Sequence, residues 1–143
     1  MESKDDGCYS FVGKQGGSQV LNIGSGQCSD AYLHVILHAV GMWHEIQRAD
    51  RDDYVKIHYK NIRESNSHNF VKKDYSFFNS NLPYDELSVM HYKYDAYSKN
   101  GKPTITSKRG LADEELGGKD LNKMTFLDIL KVKNIYNFLN SCN

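Results

Sequence analysis

The chain lacks a net charge: Lys plus Arg number 18, and so do Asp plus Glu. A balanced surface gives nucleic acid or an anionic membrane no electrostatic footing, and neither is expected as a partner. Long apolar runs are missing as well. None approaches the ~20 residues that span a bilayer, and the opening "MESKDDG" lacks the apolar centre of a secretory signal. Residues 1–7 read as a disordered lead. Cysteine is scarce and odd in number, at 8, 28 and 142. An oxidising compartment would make that one pair plus a leftover thiol, and a reducing one three small buried hydrophobes. The composition leaves both open.

What is present fits one domain, since 143 residues can bury a core without staples. Ten tyrosines supply most of the aromatic content. With an apolar ring and a polar tip, they suit half-buried loops, so a loop-rich fold pinned by tyrosines is expected. "CYSFVG" (Cys8–Gly13) and "VLNI" (Val20–Ile23) read as short strands around the Gly-rich turn "KQGGSQ". Cys8 and Cys28 bracket that unit, and a bridge between them would close a loop of about 20 residues, worth roughly 3 kcal/mol. Ser29 or Asp30 is placed to cap a helix running to about Val40, where Gly41 offers the left-handed residue that stops it. Further on, Tyr54–Ile57 reads as extended and Thr104–Thr106 as a short strand. Leu127, Leu130, Ile135 and Leu139 give a closing helix its apolar spacing. Thr125 and Asp128 have the spacing of a capping box at its start.

The most informative stretch is "YLHVILHAVGMWHE", Tyr32–Glu45. Residues four apart share one face of a helix, so His34 and His38 can point at one ion. Gly41 lets the backbone reverse, and His44 closes from another direction. Zinc accepts three imidazoles and keeps a fourth position for water or substrate. Chance would produce this spacing with its glycine roughly once in a thousand such chains. One group is missing from it. Val35 stands where a zinc peptidase places a glutamate.

"HVILHAVGMWHEIQRADRDDYVKI" resembles the zinc helix and following segment of the astacin family of metalloendopeptidases, a branch of the metzincins. The family pattern is HExxHxxGxxHExxRxDRDxYVxI. Glu45, Arg48, Asp50, Arg51, Asp52, Tyr54, Val55 and Ile57 match it, and only the first glutamate is lost. "SVMHY" resembles the family's methionine turn, which implies Met90 beneath the metal and the Tyr92 hydroxyl beside it, able to bond the reaction intermediate. Cys8 and Cys28 match a family disulfide in spacing. "CYSF", with Tyr9, Ser10 and Phe11, resembles the edge strand that receives substrate by antiparallel pairing; an ordinary edge strand is an equal alternative. "LGG" and "MTFLDILKVKNIY" resemble the approach to the C-terminal helix, so the likeness runs from about Cys8 to Tyr136.

The resemblance implies an α+β, zincin/metzincin-like fold. It would hold the zinc-binding helix and a small sheet remnant in residues 8–41, and in 42–143 a loop-rich C-terminal subdomain ending in a helix. It also implies zinc as cofactor, a peptide or protein substrate, and an extracellular location. Departures accompany it. The family's domain opens with strands and a helix that have no counterpart here, and its N-terminus meets the glutamate after the third histidine. Glu45 is therefore expected to lack a partner and to be solvated. Cys142 comes later than the family's last cysteine, whose place lies nearer Phe138, and no bridge is assigned to it. The family's first glutamate moves a proton from zinc-bound water to the leaving amine. Valine can do neither, and Glu45, directly after a ligand, projects away from the open position. Three readings stay open: an impaired zinc endopeptidase, a non-catalytic zinc module that binds peptides, and a fragment that folds poorly alone.

Overall fold

The computed structural model describes residues 7–23, 31–74 and 81–141. Among them, β1 (Tyr9–Ser10) pairs antiparallel with β2 (Leu21–Asn22), Tyr9 lying opposite Asn22. Gly16 and Gly17 make the turn at φ of 85° and 67°, a region that a Cβ penalises. Both strands are shorter than the apolar runs that announce them, as a two-stranded ribbon is marginal by itself. The Gly13 amide ties this hairpin to the next helix by donating to the His38 carbonyl at 2.9 Å.

That helix is α1 (Tyr32–Val40). Ala31 occupies its N-cap position without a side-chain bond; Ser29 and Asp30, the expected caps, lie outside the described residues. Its end follows expectation. Gly41 sits at φ 120°, and its amide donates to the carbonyls of His38 (2.8 Å) and Leu37 (3.2 Å), bonds that satisfy the last turn. Leu37 packs with Met42, Val89, Met90 and Ile135 in one apolar cluster.

A second cluster gathers Ile46, Val55, Ile62, Phe70, Tyr84, Ile105 and Leu116. It is threaded by β3 (Val55–Ile57) and β4 (Ile105–Ser107), antiparallel with Ile57 opposite Ile105. The chain between is mostly 3-10 turns and irregular loop. Its backbone carbonyls need donors; besides backbone amides, Arg and Asn side chains reach them from a distance. Arg51 donates to the carbonyls of Ile46 (2.9 Å) and Phe70, Arg48 to those of Leu82 (3.0 Å) and Pro83 (3.3 Å), and Asn61 to that of Pro103 (2.7 Å). Tyrosine rings pack as well: Tyr54 stacks on Tyr84 at 4.8 Å, nearly parallel.

The closing helix, α2, spans Phe126–Ser141. The Asp128 amide donates to Thr125 Oγ1 at 3.0 Å and the Thr125 amide to Asp128 Oδ2 at 3.1 Å, a reciprocal capping box. Its buried face differs from the apolar reading of the sequence. Beside Ile135 and the half-buried Val132 stand Asp128 and Lys131, both buried.

Candidate metal centre

α1 presents His34 and His38 one turn apart, and Gly41 turns the chain so that His44 faces them. Their Nε2 atoms converge: His44 Nε2 is 3.1 Å from that of His34 and 3.1 Å from that of His38. The other ring nitrogens are held from behind. His34 Nδ1 lies 2.8 Å from the Val89 carbonyl, and His38 Nδ1 2.8 Å from the Met42 carbonyl. His44 Nδ1 lies 3.2 Å from Tyr92 Oη. Such outer contacts fix the ring and its tautomer.

The donor set can be tested against a cation. A carbonyl only accepts, so His34 and His38 carry their hydrogen on Nδ1. Burial, the largest cause, lowers all three imidazoles, His38 to about 4 and His44 to about 2. At neutral pH the rings are uncharged, and the inward Nε2 atoms of His34 and His38 present lone pairs. One proton on His44 Nε2 would satisfy only one of its two neighbours. A cation between the rings satisfies all three. These side chains form a group that could hold a metal ion, and an open three-histidine set suits zinc.

Around the triad, Met90 is fully buried in the cluster beneath α1, and its carbonyl accepts from the Glu45 amide at 3.0 Å. Burial raises the Tyr92 phenol, so it stays protonated beside His44. Val35 is 1% exposed and offers no atom that accepts or donates a proton. Tyr9 and Ser10 form β1, with Phe11 exposed directly after it. Cys28 and Cys142 lie outside the described residues.

The solvation expected for Glu45 is overturned. It is 2% exposed, with Oε2 accepting from Lys131 Nζ at 2.6 Å and Oε1 from Arg48 Nη1 at 3.1 Å and the Asp85 amide at 3.0 Å. A buried carboxylate needs this compensation, and α2 delivers a cation that apolar-stripe reading passes over. Both oxygens are committed to these partners, which agrees with the expectation that Glu45 does not replace the missing base. The signal for Lys131 was present: it lies three residues after Asp128 and four before Ile135, on the helix's inner face. Sequence reasoning also missed His91, buried and lowered to about 4 by desolvation, whose Nε2 lies 2.7 Å from Tyr84 Oη.

Comparison with known proteins points the same way. The model of the Astacin peptidase family matches residues 1–137. Zinc metalloproteinase nas-13 of Caenorhabditis elegans is 40% identical over 136 residues, covering 93% of this chain and 29% of that protein. Meprin A subunit beta of Homo sapiens is 38% identical over 151 residues, covering 98% of this chain and 21% of that protein. Among solved structures, high choriolytic enzyme 1, a hatching enzyme zinc-protease from Oryzias latipes, superposes with a TM-score of 0.79 at 39% identity. That match covers 92% of this chain and 64% of that one. The chain thus spans well under half the length of the two curated relatives named.

Proposed function

This chain belongs to the astacin family, with that family's α+β fold and zinc as cofactor, and we propose that it is a zinc endopeptidase domain whose proton shuttle is lost. The convergence of three neutral imidazoles, His44 Nε2 lying 3.1 Å from the Nε2 of each of the other two, with Val35 following His34 in the chain, carries the proposal. His34, His38 and His44 hold the zinc. The chemistry that zinc supplies is Lewis acidity toward a peptide carbonyl or a water molecule. Tyr92 steadies the His44 ring and keeps a phenolic hydrogen available to a developing oxyanion. Met90 forms the apolar floor. No group at position 35 accepts a proton, and a positioned acid–base group typically contributes 10²–10⁴-fold. Turnover is therefore weak at most.

The substrate is a peptide or protein, laid along Tyr9, Ser10 and Phe11. Residues 8–41 carry the zinc helix and residues 42–143 the remaining wall of the cleft. A Cys8–Cys28 bridge secures the hairpin, supported by Cys8 being disulfide-bonded, and such a bridge belongs to a secreted protein. Among the described residues no helix is long and apolar enough to cross a membrane. Val35 also favours a second reading: a zinc-held cleft that binds peptides without cutting them. Proteolysis of unfolded casein, with and without chelator, separates the two. Chelator-sensitive cleavage supports the peptidase, while peptide binding without cleavage supports the module.

A further inference from the structure

α2 turns two charged side chains inward one helical turn apart, Asp128 at 0% and Lys131 at 2% exposure. An apolar pair would fill that face at lower desolvation cost, because a buried ion pair is seldom more stable than hydrophobic residues of equal volume. Their partners explain their presence. Asp128 accepts from Ser88 Oγ at 2.5 Å and the Val89 amide at 3.3 Å, and the Val89 carbonyl is the group that holds His34 Nδ1. Lys131 donates to Glu45, the residue directly after His44. One turn of α2 thus reaches two of the three imidazoles, each through a single intermediary.

The charges show why Lys131 matters. Among the described residues Glu45 has one other cation within salt-bridge distance, Arg48, and Arg48 is shared: its Nε and Nη2 donate to Asp50 at 2.9 and 2.7 Å. Two carboxylates therefore lean on two cations. Without Lys131, Glu45 is buried with the Asp85 amide and a shared Arg48. A carboxylate stranded in this way favours any shift that brings it toward water, and Glu45 is joined directly to His44. We propose that Lys131 is a positioning residue of the metal centre, holding Glu45 so that the His44 imidazole stays aimed at the ion, with Asp128 doing the same for His34. This rests on the three histidines being zinc ligands.

The test measures zinc affinity against a chromophoric chelator and the visible spectrum of the cobalt-substituted protein, for the parent and for Lys131→Met. The expected result is a 10–100-fold loss of zinc affinity, the range seen when outer-shell partners are removed, with shifted cobalt bands in a protein that still melts cooperatively. If Lys131→Met does not fold, the Glu45→Gln, Lys131→Met double variant removes the stranded charge, so it should bind zinc within about threefold of the parent, and a 10–100-fold loss there overturns the proposal. A folded Lys131→Met protein that binds zinc within twofold of the parent and keeps its cobalt spectrum overturns the proposal. So does failure of both variants to fold, since Lys131 would then serve the fold alone. A parent that binds no zinc overturns the ligand assignment instead, so the two failures are distinguishable.

Discussion

Val35→Glu restores a carboxylate directly after His34, where the astacin pattern carries its glutamate. If the rest of the machinery is intact, chelator-sensitive cleavage of unfolded casein should rise about 10²–10⁴-fold, the range for a positioned acid–base group. The structure also sets a cost. Val35 is 1% exposed on α1, so the new side chain is desolvated on entry. An uncompensated buried charge costs about 3–5 kcal/mol, and the neighbouring imidazoles are neutral and cannot offset it. A zinc ion held by those imidazoles can. The variant should therefore be less stable than the parent without zinc and recover much of the deficit with it, whereas the parent's zinc response is smaller. Thermal melts with and without zinc measure this coupling, and the casein assay measures the gain. A folded, zinc-loaded Val35→Glu protein no more active than the parent would refute the claim that the base alone is missing. The peptide-binding module would then lead.

Zinc at about 100 times its dissociation constant should stabilise the parent by about 2.7 kcal/mol; a melt unmoved by zinc contradicts the assignment. His38→Ala should abolish that shift and lower metal content from about one ion per chain; unchanged content rules the ligand set out. Peptide mapping without reduction should recover Cys8 joined to Cys28, and a fragment joining Cys142 to either would exclude that bridge. Phe70→Ala, at the centre of the larger apolar cluster, should cost about 3–5 kcal/mol in denaturant unfolding. A loss below about 1 kcal/mol would mean the cluster collapses around the gap.

The parts of the fold legible in the sequence share one property: their cause is local. The helix face of His34 and His38, the stop at Gly41 and the Thr125–Asp128 box each depend on spacings of three or four residues, and each stands where those spacings put it. The strands were legible as elements but not in extent, because a two-residue ladder is set by what packs against it. The loops between were legible only as loops. Their order comes from Arg48, Arg51 and Asn61 reaching carbonyls as many as 42 residues away, and no local pattern encodes such a reach.

The fate of Glu45 shows how the same limit bears on the site. Its motif position is plain in the sequence, yet its environment depends on Lys131, 86 residues later, which the apolar spacing of α2 does not mark. Charge on the inner face of a helix is costly unless paired, so a lysine and an aspartate three apart within an apolar stripe call for partners elsewhere in the chain. Asp128 and Lys131 find theirs at Ser88, Val89 and Glu45, all next to or one step from the groups that hold the imidazoles. Nothing comparable compensates Val35. On the proposed reading, this outer support surrounds a ligand set that lacks its base. The zinc dependence of Val35→Glu measures how far metal binding and proton transfer are separable in this centre.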